Sequence, residues 1–207
     1  MNDWEQRWRE GRTGWDAGGS PPVLRELVEG GALPEGPTLV PGCGAGYDVL
    51  TLASPRRPVV GLDVAPTAAQ RFAQVREAAG IPAGLARVEV QDFFTWQPPA
   101  PFALIWDYTF LCAIPPARRP EWARRMDTLL APDGELVTLL FPVTGARPTL
   151  DAPGEGPPFG LHPEQVRELL GPHFTPVHLA PVERSSPARQ GLEWLGRWRR
   201  TSQLRAG

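Results

Sequence analysis

Leu39-Val40-Pro41-Gly42-Cys43-Gly44-Ala45-Gly46-Tyr47-Asp48 carries an apolar run into a glycine-dense turn and on to a helix-forming stretch. Reading Thr38 to Val40 as a strand and Asp48 to Ala53 as a helix turns the glycines into a strand-to-helix crossover. In open α/β sheets that crossover, at the carboxyl end of a strand, is where ligands bind. Gly42, Gly44 and Gly46 let a ligand approach the backbone closely. Tyr47 stands where a dinucleotide-binding turn would place its third glycine. A tight turn without any ligand is the plain alternative.

The same alternation continues outward from this turn. Strands are expected at Pro58 to Leu62, Arg87 to Val90, Phe102 to Trp106 and Glu135 to Phe141, with helices at Pro66 to Ala79 and Pro120 to Leu130. Helices are also expected from Trp4 to near Gly11, from Pro22 to Glu29 and from His162 to Leu170. Phe174 to Val182 and Leu192 to Trp198 read as strands close enough to pair antiparallel. Apolar strands separated by helices argue for a parallel sheet covered on both faces. The expected fold class is α/β, a single doubly wound, mostly parallel seven-stranded sheet with an antiparallel C-terminal hairpin. Pro142 to Leu161 breaks the rhythm with five prolines and four glycines, a composition of lids and irregular loops.

Composition narrows the chemistry. At 207 residues one domain is expected. Twenty-one basic against 23 acidic residues give a net charge of −2 without any like-charge block, so neither nucleic acid nor an anionic membrane is an expected partner. Every basic residue is arginine, which excludes Schiff-base chemistry and the lysine of a Walker A loop. Apolar runs such as Leu136 to Phe141 fall far short of the ~18 to 20 residues of a membrane span. The start, Met1-Asn2-Asp3-Trp4-Glu5, carries no basic or apolar signal, and the expected location is the cytoplasm. Cys43 and Cys112 are expected to be reduced thiols, and His162, His173 and His178 are scattered without ligand spacing, so no metal site is expected. No signal for an oligomeric state is present.

Asp63 closes the second expected strand, 21 residues after Gly42, where a carboxylate can accept both hydroxyls of a ribose. A helix N-cap ahead of Pro66 is the alternative. Asp92 follows the third expected strand and Asp107 the fourth, each with turn formation as its alternative. Trp4 and Trp8, four residues apart, share a helix face. Such indoles either dock into the core or offer aromatic faces to a cation.

Val40 to Gly46, Gly61-Leu62-Asp63 and Leu129 to Leu136 resemble successive motifs of class I S-adenosylmethionine-dependent methyltransferases. Trp4-x3-Trp8, Thr13-Gly14-Trp15-Asp16, Leu104 to Tyr108, Cys112-Ala113-Ile114 and Gly196-Arg197-Trp198 resemble the thiopurine S-methyltransferase superfamily, and its thiol and halide branch in particular. The resemblance implies S-adenosylmethionine as cofactor and a small-molecule acceptor. It implies that Trp4, Trp8 and Trp15 enclose the methionine end, with Gly42 and Gly44 against it, Asp63 on the ribose, and Asp92 and Phe93 on the adenine. Asp107 joins the cofactor contacts, and Tyr108 closes the site near the methyl-transfer end. Residues 1–36 would form a helical lid and residues 142–161 a loop on the substrate side, Gly156-Pro157-Pro158-Phe159 lying over the acceptor. Plant halide enzymes of this branch carry tyrosine where this chain has Phe141, a departure that bears on halide use.

A sulfonium methyl is already activated, so a soft anionic nucleophile needs alignment and exclusion of water rather than a base. No His or Lys lies near the ends of the first five strands, which disfavours neutral amine or hydroxyl acceptors. The expected activity is methyl transfer to a thiol, hydrosulfide, thiocyanate or halide. Transfer to another N or O acceptor, a cofactor-binding protein without turnover, and a nicotinamide oxidoreductase on the same sheet are the rivals.

Overall fold

The computed structural model describes residues 3–145 and 156–201 and divides into two units, Met1–Gln97 and Pro98–Gly207. The first unit contains α1 (Trp4–Arg9), α2 (Pro22–Glu29), β1 (Thr38–Pro41), α3 (Tyr47–Leu52), β2 (Val59–Asp63), α4 (Pro66–Ala78) and β3 (Ala86–Val90). β2 pairs parallel with β1 through Val40 opposite Gly61, and parallel with β3 through Gly61 opposite Val88. Both β1 and β2 are buried along almost their whole length, as strands covered on two faces must be. Gly61 sits where α3 closes on the sheet: a Cβ there would lie 2.6 Å from Cys43 Sγ and 2.9 Å from Val49. Proline at the first turn of α2 and α4 removes an N–H that has no intrahelical partner anyway.

The second unit contains β4 (Phe102–Tyr108), α5 (Arg119–Leu129), β5 (Leu130–Leu140), α6 (Pro163–Leu170), β6 (Phe174–Pro181) and β7 (Trp194–Arg200), with 3-10 turns at Leu111–Ala113, Pro116–Arg118 and Pro187–Arg189. β4 and β5 pair parallel, β7 lies antiparallel on β5, and β6 lies antiparallel on β7. Trp106, Trp122, Met126 and Trp198 are wholly buried and form the core of this unit. Gly196-Arg197-Trp198 has a structural role. Trp198 Nε1 donates to Thr138 Oγ1 at 3.0 Å, a Cβ at Gly196 would strike both atoms at 2.6 Å, and Arg197 pairs bidentately with buried Glu135. The strands make up a seven-stranded, mostly parallel sheet with two antiparallel C-terminal members, the α/β class expected.

Of the boundaries that differ from the sequence reading, three shift by more than one residue at a strand end that matters for the site or its support. β4 runs on to Tyr108, so Asp107 and Tyr108 lie inside the strand rather than after it. β5 begins at Leu130, because Leu130 still pairs with Phe102 and the turn-forming Pro132-Asp133-Gly134 bulges out before Glu135 pairs with Leu104. β7 begins at Trp194, which leaves Glu193 in the preceding loop. Of the expected 142–161 loop, residues 146–155 lie outside the described residues. Its ends run side by side: Thr144 N donates to Leu161 O at 3.1 Å and Leu161 N to Pro142 O at 2.9 Å. No helix among the described residues is long and apolar enough to cross a membrane.

Candidate active site

In the first unit the turn after β1 is left-handed at all three glycines, with φ of 58° at Gly42, 53° at Gly44 and 74° at Gly46, a backbone that L side chains rarely adopt. Gly44 N donates to Asp63 Oδ2 at 2.9 Å, and Ala65 N donates to Asp63 Oδ1 at 2.9 Å. Asp63 therefore ties the glycine turn to the end of β2 while each carboxylate oxygen keeps a second lone pair. Burial pushes its carboxyl above the usual range, against the pull of the N–H groups of Ala65, Gly44 and Val64.

The three N-terminal tryptophans gather beside this turn. Trp15 meets Trp4 edge-on at 5.2 Å and Trp8 at 6.1 Å between ring centroids. Trp8 lies so close to Gly44 that a Cβ there would fall 3.2 Å from its indole. All three indoles are half-buried, and no residue of α1 is fully buried. The Arg7 guanidinium stands 5.4 Å from the Trp4 ring and 6.0 Å from the Trp15 ring, so these faces already take a cation. α1 is held in place by Glu5, whose carboxylate accepts from Thr67 N at 3.0 Å and Thr67 Oγ1 at 2.7 Å at the start of α4. After β3, Asp92 is exposed and its Oδ1 accepts from Phe94 N at 2.9 Å, while Phe93 is buried edge-on against Phe94. A carboxylate beside a glycine turn and a cluster of indole faces fits a ligand that carries ribose hydroxyls and a sulfonium.

In the second unit Tyr108, Arg189 and Glu193 form a cluster that the sequence reading missed. Tyr108 Oη donates to Glu193 Oε1 at 2.5 Å and accepts from Arg189 Nη1. The Arg189 guanidinium lies 4.9 Å from the Tyr108 ring centroid and 4.5 Å from that of Phe141. Arg189 is 6% exposed and Glu193 1%. Glu193 Oε2 is buried without a hydrogen-bond partner. Burial, with Glu193 close by, drives the Tyr108 phenol far above its ordinary range, so it remains a donor. Nothing local in sequence marks Glu193 or Arg189, which stand 85 and 81 residues from Tyr108. The nearest signal is the Gly196-Arg197-Trp198 motif just beyond them.

Asp107 is buried, its Oδ1 accepts from Leu111 N at 3.1 Å and its Oδ2 from Trp122 Nε1 at 2.9 Å, so it braces the end of β4. Burial raises its carboxyl to about 6. That brace supports Thr109, whose φ of 62° is strained for a β-branched residue. Phe159 is half-buried, donates from its backbone to Cys112 O at 2.7 Å and folds its ring back over Gly156. Neither cysteine is poised as a nucleophile: burial raises the Cys43 thiol well above its ordinary value and that of Cys112 to about 12.

Residues 1–197 match the family model for thiopurine S-methyltransferase. The chain is 44% identical to a probable thiol methyltransferase 2 of Arabidopsis thaliana over 201 residues, covering 96% of this chain and 85% of that one. It is 42% identical to a thiocyanate methyltransferase 1 of Brassica oleracea, covering 95% and 84%. Among solved structures, the 1,6-didemethyltoxoflavin-N1-methyltransferase of Burkholderia thailandensis, with bound S-adenosylhomocysteine, superposes with a TM-score of 0.68 at 21% identity, covering 95% of this chain and 84% of that one.

Proposed function

The chain belongs to the thiopurine S-methyltransferase family and is an S-adenosylmethionine-dependent methyltransferase; from that premise we propose that it methylates small, soft nucleophiles: thiols, hydrosulfide and thiocyanate, with halides as weaker acceptors. The observation that carries this reading is the buried Arg189 guanidinium stacked on Phe141 and Tyr108. A fixed positive charge among polarisable rings suits a soft anion and offers little to a neutral amine or alcohol. The two relatives named above, a thiol and a thiocyanate methyltransferase, support the same class.

S-adenosylmethionine supplies a methyl group already activated on a positive sulfur. Trp4, Trp8 and Trp15 would face that sulfur and exclude water, Gly42 and Gly44 would admit the methionine end, Asp63 would accept from the ribose, and Asp92 and Phe93 would border the adenine. Tyr108, Phe141 and Phe159 shape the acceptor side. Both units serve as one methyltransferase domain, a reading supported by the family match over residues 1–197. We place the protein in the cytoplasm, supported by its two free cysteines.

An assay coupled to release of S-adenosylhomocysteine, with headspace gas chromatography of the volatile products, tests the proposal. Turnover is expected to fall from thiols and thiocyanate through iodide, bromide and chloride to alcohols and amines. Phe141→Tyr, which adds a hydroxyl beside Arg189, is expected to raise halide turnover more than thiol turnover. Efficient methylation of an alcohol or amine, with thiols and halides inert, overturns the acceptor class.

A further inference from the structure

Glu193 is the feature that the reading above leaves unused. Among the described residues it is the one carboxylate with a buried oxygen that has no hydrogen-bond partner. Leaving such an acceptor unmade is costly, and a polar group kept that way calls for an explanation. Bracing alone does not supply one, because the bond from Tyr108 engages only Oε1. Oε2 stays open while Oε1 is held in place.

We propose that Glu193 Oε2 accepts the proton of a neutral thiol or hydrogen sulfide bound beside Tyr108 and Arg189, so that the enzyme captures the abundant S–H form and generates its nucleophile in place. In this step the S–H bond breaks, an O–H bond forms on Oε2, and the electron pair stays on sulfur as a thiolate. No oxidant or reductant takes part, and Glu193 later returns the proton to solvent. The charge of Arg189 offsets the thiolate as it forms, and the Tyr108 hydroxyl, shared between Arg189 and Glu193, fixes the orientation of the carboxylate.

Tyr108 from β4 meets Glu193 directly, and Arg189 from the 3-10 turn at Pro187–Arg189 is linked to it through the Tyr108 hydroxyl, with Cys112 near Arg189. Tyr108 and Cys112 both keep their protons at neutral pH, so neither can serve as the base. Asp107 has both oxygens engaged. Geometry therefore leaves Glu193 as the acceptor of the proton.

This inference rests on the acceptor class proposed above, and the test separates the two. Thiocyanate has no proton to lose, whereas an alkyl thiol at neutral pH is almost wholly S–H. Glu193→Gln keeps an acceptor for Tyr108 and removes the basic oxygen. At pH 7 it is expected to lower the ratio of kcat/KM for the thiol to that for thiocyanate at least tenfold, a general base contributing ~10²-fold or more. For the wild-type enzyme kcat/KM for the thiol is expected to level off below the thiol's own pKa, whereas for Glu193→Gln it should follow the thiol's titration. A readout without cofactor is the absorbance of thiophenol bound to the protein. The thiolate band should appear below thiophenol's own ionisation with wild type and not with Glu193→Gln.

Should Glu193→Gln not fold, Glu193→Asp keeps the carboxylate but shortens its reach, and it is expected to fall between the two in the same ratio. Equal loss with both acceptors, or a thiolate band that survives Glu193→Gln, overturns the role of Glu193 while the acceptor class stands. A wild-type enzyme that turns over neither thiols nor thiocyanate overturns the acceptor class itself.

Discussion

A single carboxylate can be read from sequence when its partner lies at a fixed distance along the chain. Asp63 follows Gly42 by 21 residues, and the fold does bring it against the glycine turn, with Gly44 N donating to its Oδ2. The N-cap alternative is also partly realised, since Oδ1 accepts from Ala65 N ahead of α4. On the ribose role proposed for Asp63, Asp63→Ala would remove two charge-assisted hydrogen bonds, each on the order of 1.5 to 3 kcal/mol. S-adenosylmethionine affinity is therefore expected to fall tenfold or more by calorimetric titration. The same variant strips an acceptor from the N–H groups of Gly44 and Ala65, so a modest drop in Tm should accompany it. Unchanged affinity removes Asp63 from the binding site. Glu193 had no such marker, because its partner Tyr108 is 85 residues away and only pairing between strands brings the two together.

An element's role depends on what holds it. The spacing of Trp4 and Trp8 placed both indoles on one helical face, and α1 forms with Asp3 Oδ1 accepting from Gln6 N as its cap. What the periodicity left open was the choice between core and lid. Tertiary contacts bear on it: the indoles are half-buried, and α1 is docked by Glu5 on Thr67. Thr67 holds the Glu5 carboxyl below its ordinary range, so this docking is complete above the ordinary glutamate value and is lost as the pH falls through the lowered one. Deleting residues 1–16 is expected to abolish cofactor binding while lowering the Tm of the ligand-free protein only slightly, because no residue of α1 is fully buried. Calorimetric titration and thermal unfolding of the truncated chain check both halves. Outright unfolding would mean that the tryptophans belong to the core.

At the scale of the whole molecule, pH acts on stability through buried groups. Asp107 is raised from its unfolded value near 3.8 to about 6 by burial. Its favourable contribution is therefore fully present below pH 3.8 and lost as the pH rises through 6. At ~1.4 kcal/mol for each pKa unit, the loss is on the order of 3 kcal/mol. Urea unfolding at a series of pH values should show this slope in the wild type and not in Asp107→Asn. The variant is also expected to be less stable by ~1 to 3 kcal/mol at low pH, since an amide offers one acceptor to the two donors Leu111 N and Trp122 Nε1. A pH slope shared by both proteins would assign the titration to other groups.

The sequence alone determined the α/β class, the order of strands and helices, the glycine turn and Asp63, because periodicity, turn chemistry and short fixed spacings are local properties of the chain. It also excluded lysine chemistry outright. Tertiary structure decided where the chain spends its polar groups: Asp107 became a brace when β4 extended to Tyr108 and α5 brought Trp122 against it. It likewise decided that Arg189 and Glu193 meet Tyr108 beside Phe141. Sequence alone marks no base, since no His or Lys lies near the ends of the first five strands and Glu193 lies in a loop ahead of β7. The physical reason is range. A hydrogen bond across 85 residues is set by sheet pairing and burial, and neither leaves a periodic trace in the chain.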